Sequence, residues 1–252
     1  MKLARDTWLL FSHNVRMTLR NPVWVVFGLF QPVCYMLLFA PLLEGAIPEG
    51  TPGGNAITVF TPGLLIMQGI FGTTFVGFGL IAQLRGGVVE RLRVTPVSRL
   101  ALLLGGALRD VVILLVQAVL LVLVARAMGL QASLAGVALV LGLLVLLGLF
   151  TASCSYAVAL ALKDENAFAS TLNFFLLPLL LLSGVLLPLT LAPAWIRTVA
   201  ALNPFSYAVD AARALFGGNL GDVSVLYGFG VMAILALLAL SWAARSFRRA
   251  TA

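Results

Sequence analysis

Apolar residues run through this chain in long blocks separated by short polar clusters, and six of the blocks reach the length of a membrane crossing. The first, residues 23–43, follows the turn signal Asn21-Pro22. At about 1.5 Å rise per residue it spans roughly 31 Å, the depth of a bilayer's hydrocarbon core. The others occupy residues 58–82, 100–125, 134–162, 167–187 and 223–242. The third begins near Leu100 or, if Arg109 and Asp110 mark the interface, near Val111. The fourth exceeds what a crossing needs, which predicts tilt or an extramembrane end. Pro178 removes a backbone donor inside the fifth and predicts a kink. The pattern predicts an all-α integral membrane protein of six spans, a single transmembrane domain over residues 1–252.

Two stretches depart from this pattern. In residues 1–22, Trp8, Phe11, Val15 and Leu19 recur at helical spacing while Arg5, Arg16 and Arg20 lie elsewhere around the wheel, which predicts an amphipathic helix in the membrane interface. His13, the single histidine, reads as a surface residue there. In residues 188–222, three prolines break the chain into apolar pieces, 195–202 and 205–216, that are too short to cross. They predict re-entrant half-helices between spans 5 and 6, with Trp195, Phe205 and Tyr207 as interface anchors beside Asn203 and Pro204.

Charge orients the spans. Placing both termini in the cytoplasm puts Lys2, Arg5, Arg16, Arg20, Arg85, Arg91, Arg93, Arg99, Arg109, Lys163, Arg245, Arg248 and Arg249 inside, 13 of the 16 basic residues. Only Arg126, Arg197 and Arg213 fall outside, as the preference of basic loops for the cytoplasm requires. The composition agrees: 62% of the 252 residues are hydrophobic and 10% charged, far from a soluble domain. The net charge of +7 therefore reflects orientation rather than nucleic-acid binding. Cys34 and Cys154 both lie in apolar runs and suggest packing, not a disulfide or a metal site. Arg16 and Arg20 interrupt the N-terminal stretch, so it does not read as a cleavable signal.

Residues 84–99 join spans 2 and 3 and are too charged for hydrocarbon, which makes them a cytoplasmic loop or short helix. Their length suits docking into a soluble partner. Thr95-Pro96 fits a helix end, and Glu90, Arg91, Arg93 and Arg99 can face that partner. The competing reading is that the arginines anchor the loop to anionic lipid head groups; Glu90 discriminates, because such anchoring gives an acid no purpose.

Missing chemistry narrows the function further. Neither lysine, Lys2 or Lys163, follows a glycine-rich phosphate cradle, so the chain carries no nucleotide site of that type. No ionisable residue is expected near the middle of a span, which argues against an ion-coupled carrier. Leu182-Ser183-Gly184 is a weak match to the nucleophile of a membrane protease and His13 lies on the other side of the membrane, so no catalytic, cofactor or metal site is expected. The neutral polar residues Gln68, Thr73, Gln117 and Asn173 are candidates to line a substrate route, although most such residues in bilayers are helix-packing contacts.

Residues 87–99, GVVERLRVTPVSR, followed by Leu103-Leu104-Gly105, resemble the cytoplasmic signature of type-2 ABC exporter permeases, the daunorubicin-resistance subgroup above all. Leu182-Ser183-Gly184, Pro188, Trp195 and Asn203-Pro204-Phe205-Ser206-Tyr207 are similar to that family's fifth-span end and outer re-entrant region. The resemblance implies a permease subunit in the bacterial inner membrane, paired with a second permease copy, identical or related, and with separate ATP-binding subunits that hold ATP and Mg. It implies ATPase coupling through Glu90, Arg91, Arg93, Thr95, Pro96 and Arg99, and export of hydrophobic or amphipathic compounds such as drugs, antibiotics or lipids. A permease for a polysaccharide or lipo-oligosaccharide is the alternative within transport. A structural or assembly membrane protein is the alternative outside it.

Overall fold

The computed structural model describes residues 2–20, 23–44, 56–87, 99–185 and 193–250. All regular structure among them is helical: α1 (Lys2–Arg20), α2 (Val23–Glu44), α3 (Ala56–Thr74), α4 (Gly77–Arg85), α5 (Arg99–Ala127), α6 (Leu134–Leu162), α7 (Glu165–Leu181), α8 (Ala194–Ala200), α9 (Pro204–Phe216) and α10 (Val223–Ala250). Within the described residues four helices are long and apolar enough to cross a membrane: Ile57–Arg85, Ala101–Ala127, Leu134–Leu162 and Val223–Arg248. The expected first and fifth spans fall on α2 and α7, whose described apolar stretches, Gly28–Phe39 and Glu165–Leu181, are shorter.

α3 and α6 form the centre. Leu64, Leu65, Ile66 and Ile70 of α3 and Leu143, Leu144 and Leu147 of α6 are fully buried, and α5, α9 and α10 close around them. Glycines let the backbones approach, as small residues do in membrane bundles. A Cβ on Gly63 would come within 2.2 Å of the Val185 carbonyl oxygen, and one on Gly136 within 2.4 Å of that of Leu215. α1 lies along α5, where Gly105 accepts Leu10 and the backbone of Thr7 and Phe11. Trp8 and Met17 stay exposed, so part of the apolar stripe on α1 is left uncovered by protein.

α6 spans the residues expected of the fourth crossing, and its ends explain why. Ser133 caps the start by accepting from the Gly136 N–H, and Lys163 ends the helix in the left-handed region. Asp164 then caps α7 by accepting from the Ala167 N–H at 2.9 Å. α7 ends at Leu181, short of residue 187, because the chain turns through Leu182 and Ser183 into Gly184 at φ 71°. α5 is continuous from Arg99, so Arg109 and Asp110 lie inside the helix rather than at its start.

The second expected span is divided. Around Phe75 and Val76 the N–H groups of Phe78 and Gly79 reach back three residues instead of four, which tightens one turn between α3 and α4. Gly77 donates from its N–H to the Ser155 hydroxyl of α6 at 2.9 Å, and that hydroxyl donates to the Thr74 carbonyl at 2.6 Å. A Cβ at Gly77 would meet the Phe168 ring at 2.4 Å.

In the stretch where half-helices are expected the chain forms two short helices, α8 and α9. Pro204 opens α9 at its first turn, where a missing N–H costs nothing, and Asn203 caps it by accepting from the Phe205 N–H. The Asn203 amide also donates to the Leu179 carbonyl at 2.6 Å, and Arg213 donates to the Gly184 carbonyl at 2.7 Å. These bonds hold α9 across the ends of α3, α6 and α10. Asp222 accepts from the Ser224 N–H at 2.8 Å at the head of α10, which holds its carboxyl below the usual carboxylate range.

Candidate functional site

Between α1, α2, α3, α4 and α5 lies a cavity of about 920 Å³. Beyond the tight turn at Phe75, α4 runs along α6 and α7 and gives the cavity Phe78, Gly79 and Gln83. Three phenylalanines on one stripe, Phe71, Phe75 and Phe78, line one wall. Their rings follow one another at 6.3 and 6.2 Å with interplanar angles of 16° and 14°. The remaining wall carries carboxamides: Gln31 from α2, Gln68 from α3, Gln83 from α4, Gln117 from α5, and Asn14 from α1.

Gln68 and Gln117, 49 residues apart, meet here, with the Gln68 amide donating to the Gln117 oxygen at 3.3 Å. The Gln68 oxygen is buried and has no hydrogen-bond partner among the described residues. Gln117 fits because α2 offers no side chain at Gly28; a Cβ there would come within 2.5 Å of the Gln117 amide nitrogen.

Arg109 and Asp110 complete the wall. The Arg109 guanidinium donates twice to one Asp110 oxygen, at 2.9 and 2.5 Å, and the other oxygen accepts from the Tyr156 hydroxyl of α6. Asp110 is almost wholly buried and Arg109 is largely so. An ionisable pair therefore lies within the helix that carries the third expected span, in its first half rather than at its middle. It is tolerated because each charge has its counter-charge and the acid's second oxygen also has a donor.

Nearby, Arg85 at the end of α4 reaches Asp164 at 3.1 Å and Glu165 at 3.2 Å, joining α4 to the α6–α7 turn. This end of the bundle also carries Lys163 and Arg245.

The structure sorts the expected route residues. Gln68 and Gln117 come together in the cavity wall. Thr73 does not reach it: its hydroxyl is taken by the Gly69 carbonyl at 2.6 Å and by Thr151 of α6, a helix-packing role. Asn173 lies exposed on α7, outside the cavity. Of the expected anchors, Trp195 is exposed and Tyr207 half-buried, whereas Phe205 is buried against Phe150 and packs the interior. Glu90, Arg91, Arg93, Thr95 and Pro96 lie outside the described residues, and Arg99 is described only as the start of α5. No group of three His, Cys, Asp or Glu residues among the described residues is placed to hold a metal ion. The Arg109, Asp110 and Tyr156 cluster and the phenylalanine strip were not anticipated. The signals were a neighbouring Arg-Asp pair inside an apolar run and rings at i, i+4 and i+7.

Residues 5–216 match the ABC-2 type transporter family. The chain is 27% identical over 224 residues to the daunorubicin resistance ABC transporter permease protein DrrB1 of Streptomyces coeruleorubidus, covering 86% of this chain and 78% of that one. It is 28% identical over 217 residues to the protein ycf38 of Pyropia yezoensis, which its name calls a transport permease, covering 85% and 75%. The ycf38 protein of Cyanophora paradoxa is 28% identical over 203 residues, covering 78% and 69%. With membrane-length helices and a family match over most of its length, this chain belongs to the ABC-2 type transporter family.

Proposed function

We propose that this chain is the permease subunit of an ATP-driven exporter of hydrophobic or amphipathic compounds, with six spans, both termini cytoplasmic, a second permease copy and separate ATP-binding subunits. The cavity carries this reading. It lies toward the end of the bundle where Arg85, Lys163 and Arg245 gather, the end that charge assigns to the cytoplasm, and its wall is both aromatic and amide-rich. Such a wall receives a compound that is part apolar and part polar. A relative named for daunorubicin resistance supports a drug or antibiotic as cargo.

The ATP-binding subunit would act on residues 84–99 through Glu90, Arg91, Arg93, Thr95, Pro96 and Arg99. Arg85 lies at the start of that segment and is tied to Asp164 and Glu165, so a displacement there would also reach α6 and α7. ATP and Mg would be held by the partner.

Affinity purification of the full chain from its native membrane, followed by ATPase assay, tests this reading. The expected result is an ATP-binding subunit in the purified complex whose hydrolysis rises with an exported amphipath. A chain that purifies intact from active membranes with no ATP-binding subunit and no ATPase would refute it.

A further inference from the structure

We propose that the cavity walled by α1 to α5 binds, within a single subunit, an uncharged amphipath with a flat aromatic or conjugated body and at least one N–H or O–H donor. The inference deepens the export reading and rests on it for its biological sense, but not for its test.

Charge sets the first requirement. Among the described residues of the wall the charged side chains are Arg109 and Asp110, which neutralise each other through two contacts. A charged ligand would find no unspent counter-charge and would lose its hydration for nothing.

Hydrogen bonding sets the second. Carboxamides recur around the wall, and the Gln68 oxygen is a buried acceptor without a partner beside the one that Gln117 provides. A buried acceptor left unmade is costly, so a small shift of the Gln68 carboxamide onto a ligand donor is favourable.

Shape sets the third. Phe71, Phe75 and Phe78 form an aromatic strip two turns long with nearly parallel ring planes, and a ring system laid along it meets several rings by stacking or edge contact, whereas a compact aliphatic body forgoes that preference. The volume of about 920 Å³ holds a drug-sized molecule.

The full chain in lipid nanodiscs, without nucleotide or partner, is titrated with 1-aminoanthracene, a neutral flat fluorophore with an N–H donor, and with anthracene, which lacks the donor. Empty nanodiscs of the same lipid set the partition background. Saturable binding of both probes above that background is expected. Gln68→Leu weakens 1-aminoanthracene about tenfold and leaves anthracene unchanged, while Phe75→Ala weakens both. Gly72→Trp is the variant that removes no protein bond: among the described residues a Cβ at Gly72 has only the Gln117 oxygen near it, at 4.0 Å, and Gly72 lines the cavity, so an indole there is expected to fill it. It abolishes saturable binding of both probes. Binding that never exceeds the background, or that survives Gly72→Trp, overturns the proposal. Displacement of copurified phospholipid by Gly72→Trp with no saturable probe binding to the unaltered chain assigns the cavity to a lipid chain and also overturns it. Loss of ATPase coupling with probe binding intact would refute the export reading alone.

Discussion

Replacing Asp110 tests the buried charge cluster most directly. Asp110→Ala removes both acceptors at once, leaving the Arg109 guanidinium largely buried without its counter-charge and the Tyr156 hydroxyl without its acceptor. Breaking a buried pair from one side costs about 3–5 kcal/mol, most of it the stranded charge. Tyr156→Phe strands only one carboxylate oxygen and should cost about 1.5–3 kcal/mol, the range for a hydrogen bond to a charged group. The double variant Arg109→Met with Asp110→Leu removes both charges and strands only the Tyr156 hydroxyl, so it should cost about 1–3 kcal/mol, below the sum of the losses of Arg109→Met and Asp110→Leu alone. Reversible unfolding by SDS titration, followed through helix content, gives these free energies. A loss below about 1 kcal/mol for Asp110→Ala, or a double variant as unstable as the summed singles, would refute the assignment of a mutually dependent buried pair.

Four further outcomes are expected. Gly63→Ala and Gly136→Ala each drive a methyl into a backbone carbonyl that cannot rotate away; each should cost about 1–3 kcal/mol in the same titration, and Gly79→Ala, with open space at its Cβ, should serve as a near-neutral control. Asn203→Ala removes the α9 cap and the donor to Leu179, so it should cost about 2 kcal/mol and raise labelling of cysteines placed along α9. In the complex with its ATPase, Glu90→Lys should insert into the membrane normally yet lose substrate-stimulated hydrolysis. Arg85→Ala should change stability by less than about 1 kcal/mol, because both its ion pairs are exposed, while lowering the same stimulation. Wild-type stimulation in Glu90→Lys would remove that residue from the coupling contact.

The sequence and the structure agree wherever local chemistry decides the outcome. The bounds of α6 are written in Ser133 and Lys163, and α9 begins where Asn203-Pro204 dictates. The split between α3 and α4 was hidden because its cause is not local. Thr74 to Gly77 contains nothing that must end a helix; a hydroxyl from α6, 78 residues away, holds the turn. The alternative start of the third span at Val111 has an electrostatic cause: hydropathy scores Arg109 and Asp110 as two penalties where the fold sees one neutral pair. Gln68, Thr73, Gln117 and Asn173 carried the same signal of a polar group in an apolar run. Their fates diverged by the face of the helix each occupies and by whether a nearby carbonyl satisfies it.

The tight turn at Phe75 and Val76 also has a mechanical meaning. A helix resists bending because each turn is laced to the next by bonds four residues apart, and here that lacing is interrupted, so the rod has a soft point near its middle. α4 beyond it is about 13 Å long, and tipping it by about 10° carries its far end roughly 2 Å. Arg85 stands at that far end, and the Ser155 hydroxyl lies beside the soft point. α4 thus has the proportions of a short crank, with its pivot on α6 and its handle at the segment that leads to Glu90.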